Sequence, residues 1–131
     1  MSATRIHHDL MLPGAPLDVY AELLDADRFA AFTGAPAEID NVEGGAFSLF
    51  GGQILGRNVE LVAGQRIIQA WRVAGWEPGV YSLTRFELEA SGSGTQVGFD
   101  HTGYPPDAHE DLDAGWHSMY WVPMRSHLEA D

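Results

Sequence analysis

Histidine is the side chain best suited to moving protons near neutral pH, and this chain carries six, at positions 7, 8, 101, 109, 117 and 127. His101 stands out because it continues an apolar face. In a strand expected over residues 95–102, Val97, Phe99 and His101 share one side, beside Tyr104-Pro105-Pro106, where a pocket mouth is expected. A neutral imidazole there would orient a ligand or act as an acid or base, and the competing reading is a structural histidine bonded to a loop carbonyl. Asp100 faces the other way and is no partner for it. Gln69, on the face of Ile67 and Trp71, is a second polar candidate.

Other chemistries find less support. No two histidines are four residues apart, no H-E-x-x-H pattern occurs, and His7 and His8 point to opposite faces of a strand, so no metal site is expected. Cysteine and lysine are absent, which excludes thiolate and Schiff-base chemistry, and there is no G-x-S-x-G elbow. No catalytic residue and no cofactor is assigned. The expected ligand-facing set is Phe47, Leu61, Ile67, Gln69, Trp71, Phe86, Phe99 and His101 from strands, with Trp116, Met119 and Tyr120 from a helix. Taken singly, each of these also reads as an ordinary core residue.

These side chains need a sheet to line them up. Period-two alternation gives a first strand over residues 4–12, with Ile6, His8, Leu10 and Leu12 on one face. Pro16 opens a short helix, and a second, over residues 25–32, stops at Gly34. Six strands follow, over residues 37–40, 46–50, 53–62, 66–73, 80–90 and 95–102, separated by Gly-rich hairpin turns. Gly56, inside its strand, marks a bulge or a close backbone approach. The class is α+β in one domain, with an antiparallel sheet of about seven strands.

A single long helix over residues 107–130 must cover that sheet. Asp107 and Glu110 read as a capping box, and Leu112, Gly115, Trp116, Met119 and Pro123 form one stripe. Gly115 and Pro123 cost about 1 and 3 kcal/mol in a helix interior, so each needs a reason. Close backbone packing at Gly115 and a bend at Pro123 are one reason, and a bend that opens ligand space is the other. Trp121, Met124 and Leu128 form a further stripe, expected either as a homodimer contact or as core reached through the Pro123 bend.

Charge limits the partners. Nineteen acidic residues against seven arginines give a net charge of −12, which repels phosphate backbones and anionic lipid, so neither nucleic acid nor membrane is an expected partner. No stretch reads as a secretory signal or a membrane span, and a cytoplasmic location is expected.

The run Gly56-Arg57-Asn58-Val59-Glu60-Leu61-Val62-Ala63-Gly64-Gln65-Arg66-Ile67-Ile68-Gln69-Ala70-Trp71-Arg72 resembles the signature of the family named for the activator of the heat-shock-protein-90 ATPase. His101-Thr102-Gly103 and Gly115-Trp116 add to the resemblance. That family lies in the START-like (SRPBCC) superfamily, which implies a helix-grip fold shared with the birch-pollen allergen and a cavity between sheet and helix. Ala63 stands where the family often has proline, and the extra amino-terminal domain of the eukaryotic co-chaperones has no room here. The resemblance therefore implies binding of a small apolar molecule as the leading function. The alternatives are a protein-contact regulator of a chaperone ATPase and a cofactor-free cyclase or hydratase using His101.

Overall fold

The computed structural model describes residues 5–130, among which seven strands form one antiparallel sheet. They are β1 (Arg5–Pro13), β2 (Ala37–Ile39), β3 (Ala46–Leu49), β4 (Ile54–Val62), β5 (Arg66–Val73), β6 (Ser82–Ser91) and β7 (Gly94–Thr102), in the order β1-β7-β6-β5-β4-β3-β2. From β2 to β7 each strand pairs with its neighbour in sequence, as tight turns dictate. β1 alone crosses the molecule, placing Ile6 opposite His101 and Leu12 opposite Thr95. Thr4, expected to start β1, lies outside the described residues. Burial alternates strictly along β7, with Thr95, Val97, Phe99 and His101 inward, and along the first half of β6.

The short helices are α1 (Pro16–Leu24) and α2 (Ala26–Thr33). Pro16 starts α1, the Asp25 carboxylate accepts from the Arg28 amide to start α2, and Gly34 ends it in the left-handed region that glycine tolerates. Glu22, fully buried on α1, accepts from Arg28 Nε at 2.8 Å and pairs with His127 near the chain's other end. One carboxylate thus ties α1, α2 and the final helix together.

The final helix differs from the regular rod expected. Pro106–Ala108 form a 3₁₀ turn, α3 spans His109–Gly115, a π-helical turn spans Trp116–Trp121, and α4 spans Val122–Glu129. Asp107 sits inside the 3₁₀ turn, and α3 begins without a side-chain cap, so the capping box does not form. The π turn has a cause in Pro123. Proline has no N–H to give the Met119 carbonyl, and its ring crowds that group; a wider turn, with the Val122 amide bonded to the His117 carbonyl, relieves both.

The wider turn also resets which residues face inward. Trp116 and Trp121, five apart, are both buried, with rings 6.0 Å apart and nearly parallel. Met124 and Leu128 follow them into the core, so the stripe expected as a dimer contact through Trp121, Met124 and Leu128 is not a surface. Met119, expected inside, is 48% exposed. Among the described residues, no helix is long and apolar enough to cross a membrane.

Candidate functional site

A cavity of about 430 Å³ lies under α3 and the π turn, against the β4–β5 end of the sheet. The sheet side supplies Ile54, Trp71 and Val73; the helix side supplies Leu112, Gly115, Trp116, Met119 and Tyr120. Ala35, Phe50, Gln53 and Asp111 complete the lining. Gly115 is what leaves the room. Its backbone is ordinary α-helix, and a Cβ placed there would meet nothing within 4 Å, so close packing is not its reason.

Phe50 is a cavity wall that periodicity missed. It has φ of 55°, a left-handed conformation a bulky residue adopts at a cost of about 1–3 kcal/mol. The turn it begins, Phe50–Gly52, sets its ring 5.6 Å from Phe29 and 5.9 Å from Tyr120, both edge-on. Only the Gly51-Gly52 pair after it hinted at so tight a turn.

Of the expected ligand-facing residues, the structure brings Trp71, Trp116, Met119 and Tyr120 to the cavity wall. Phe47, Ile67, Phe86 and Phe99 pack in the closed core instead, and Leu61 leans against it half-buried. Gln69 is spent on a relay: Thr84 donates to its oxygen, its amide donates to Asn58, and Asn58 donates to the Asp40 carbonyl.

His101 is not at a mouth. It is fully buried, and both ring nitrogens are engaged. The Trp116 indole N–H donates to Nδ1 at 3.0 Å. The Ser82 hydroxyl donates its one proton to the Trp71 carbonyl at 2.9 Å, so His101 Nε2–H must be the donor in the 2.7 Å contact with Ser82 Oγ. Burial pushes the imidazole down to about 3, which keeps this neutral tautomer. A ring so occupied does not serve as the acid or base of a cyclase or hydratase.

A second indole–imidazole pair repeats the device. Trp121 Nε1–H donates to His8 Nδ1 at 3.1 Å, and His8 Nε2 donates to Asp113 at 2.7 Å. His117 completes a His–Asp–His cluster whose ligand atoms lie within 4.8 Å of one another. The search for histidine pairs missed it because it joins an Asp–His step of four on the helix to a strand. A metal on Nε2 would require the proton on Nδ1, where the Trp121 N–H already donates. The hydrogen bonds favour a clamp between β1 and the helix.

The Trp71-Arg72 pair has a structural reason. Trp71 points inward, while Arg72 donates to the carbonyls of Ala74, Trp76, Glu77 and Val80, holding the loop after β5. Among the buried side-chain polar atoms of the described residues, Trp71 Nε1–H alone has no well-formed hydrogen bond. Burial pushes the Tyr120 hydroxyl up, well above its usual range, and a hydrogen-bonding contact with the Trp71 side chain, too poor in geometry to satisfy the indole N–H, lowers it in part.

Residues 15–129 match the family described as Activator of Hsp90 ATPase homolog 1-like protein. A curated relative from Dictyostelium discoideum, an "Activator of 90 kDa heat shock protein ATPase homolog", is 37% identical over 103 residues, covering 78% of this chain and 27% of that protein. The chain spans about a third or less of the curated relatives it matches. Among solved structures, an HSP90 activator from Plasmodium falciparum superposes with a TM-score of 0.86 at 24% identity, covering 90% of this chain and 91% of that one. The Aha1 dimer from Colwellia psychrerythraea gives 0.81 at 20% identity, with 97% of each chain covered. Both likenesses establish the fold.

Proposed function

We propose a function on the premise that the chain belongs to the family of Activator of Hsp90 ATPase homolog 1-like proteins, with its helix-grip fold. Within that frame, the domain binds a small, largely apolar molecule in the cavity beneath the final helix. The observation that carries this reading is the cavity itself: about 430 Å³ bounded by aromatic and aliphatic side chains and held open by a glycine at no steric necessity. Sites for small molecules are commonly of this size and lining. A stability-selected core would fill it, since empty apolar volume costs free energy.

Gly115→Leu tests it. The new side chain enters open space and replaces a helix-breaking residue, so stability is expected to hold or rise by about 0.5–1 kcal/mol. Binding of a neutral apolar fluorophore such as N-phenyl-1-naphthylamine should fall at least about tenfold, a loss of roughly 1.4 kcal/mol. Undiminished binding in a folded Gly115→Leu protein overturns the reading. Native mass spectrometry of the protein as purified gives a second measure, since a retained molecule should vanish in the variant.

A second reading takes its support from the family and its relatives' names: contact with a chaperone ATPase through the surface. It predicts that Gly115→Leu leaves stimulation of that ATPase unchanged. A homodimer resting on other surfaces stays a proposal, supported by the dimeric neighbour alone.

A further inference from the structure

We infer that the molecule held in this cavity is a cationic amine, its ammonium group paired with the Asp111 carboxylate and its apolar body in the space left beside Gly115. The inference rests on the reading of the cavity as a binding site and adds the charge of its occupant. Among the described residues that line the cavity, Asp111 is the only charged side chain. It is exposed, and it has no hydrogen bond or ion pair with any described residue.

Unpaired carboxylates are ordinary on so acidic a surface, and in the first turn of α3 both Glu110 and Asp111 suit the helix dipole. Place is what separates them. Asp111 and Gly115 are four residues apart in α3, hence neighbours one turn apart on the same face, where Cβ positions lie about 5–6 Å from each other. At Gly115 that position opens on space with nothing within 4 Å. A ligand filling the space therefore ends within reach of the Asp111 carboxylate. Glu110 does not line the cavity.

No described residue supplies the counter-charge. Lysine is absent, no arginine lines the cavity, and Arg5, Arg28, Arg66 and Arg85 are ion-paired with other carboxylates. A ligand carboxylate or phosphate would meet Asp111 with no cation beside it and would enter against a net charge of −12. A cation gains on both counts. The rest of the lining is apolar or uncharged, so the ammonium has one place to go and a hydrocarbon or aromatic body takes the remainder.

The test is competition on the full chain, in which three probes of similar shape displace bound N-phenyl-1-naphthylamine at about pH 7. There 1-naphthylmethylamine is a cation, 1-naphthylmethanol is neutral and 1-naphthylacetate is an anion. A merely apolar cavity would favour the alcohol, because an ammonium gives up more hydration. Wild type should instead bind the amine about fivefold more tightly than the alcohol and at least about tenfold more tightly than the acetate. In Asp111→Asn the preference for amine over alcohol should vanish or reverse. Glu110→Gln removes the same charge from the next position and should keep the preference, which separates a site from the general field of the chain. In wild type, raising sodium chloride from about 50 to about 500 mM should cut the preference at least about twofold, a reading that needs no variant.

An alcohol bound as tightly as the amine, a tighter-bound acetate, a preference indifferent to salt, one unchanged in folded Asp111→Asn or one lost equally in Glu110→Gln overturns the inference while the cavity reading stands. Failure of all three probes to displace the bound fluorophore does the same. If wild type binds neither the fluorophore nor any of the three, both fall.

Discussion

Between pH 6.5 and 3 the protein is expected to lose on the order of 5 kcal/mol of stability through His101 alone. The sign follows from burial: the folded imidazole is pushed down to about 3 from 6.5, so between those values the unfolded chain binds a proton that the folded chain refuses. The contribution is therefore complete above 6.5 and disappears as the pH falls toward 3. The refusal has a visible cause, since a second proton could only go on Nδ1, where it would confront the Trp116 N–H. Protonation thus breaks a contact holding a cavity wall.

Other groups bear on the same curve with different signs. Hydrogen bonds to Asp100 and then Asp9 raise His7, so its contribution is present below 6.5 and lost as the pH rises; His7 is exposed, and solvent screening keeps the offset small. Burial alone would raise Asp100, but hydrogen bonds from Arg5 and His7 outweigh it and hold the carboxyl low, so its contribution is lost as the pH falls through that lowered value. Urea unfolding at pH 8, 6, 5 and 4 measures the sum. His101→Gln can accept from Trp116 and donate to Ser82 without titrating, and its stability should be flatter over that range. A wild-type curve as flat as the variant's would remove the buried histidine as the acid-sensitive element.

The sheet was legible because each strand is bounded by glycine turns and most alternate in polarity, and both short helices announced themselves through Pro16 and Gly34. The final helix was legible in place and length but not in winding. A period of 3.6 puts Met119 inside and Trp121 outside; the π turn that Pro123 induces reverses both. His101 misled for a related reason. Its position at the end of an inward face was right, and so was Trp116 inside, but strand alternation and helix period do not show that the one donates to the other; for His8 the partner, Trp121, was itself misplaced by the period. Phe50 and Gln53 read as the end of one strand and the start of the next; the 3₁₀ turn that takes both out of the sheet and onto the cavity wall left no periodicity to find.

Gly56→Ala is expected to cost about 3–4 kcal/mol, near the upper end for a single added methyl group. In an ordinary strand the change from glycine to alanine stabilises by roughly 0.5–1 kcal/mol, because alanine has less freedom to lose. Here Gly56 faces Phe47 on β3 and Trp71 on β5, and a Cβ would stand 2.1 Å from the Ala70 carbonyl oxygen and 2.4 Å from the Phe47 ring. The expected bulge lies further along, between Asn58 and Glu60, so Gly56 marks the close approach. A ring can turn, but the carbonyl belongs to the β5 backbone and moves only if the β4–β5 ladder opens. That ladder carries Trp71, so binding of an apolar fluorophore should weaken along with stability. Gly115→Ala is the matched control: it adds the same atom in open space and should stabilise by about 0.5–1 kcal/mol. Denaturation midpoints moving in opposite directions for the two substitutions would separate the glycine that lets the sheet close from the glycine that keeps the cavity open. A Gly56→Ala protein as stable as wild type would mean that β4 and β5 do not approach as described, and the cavity's sheet wall would have to be redrawn.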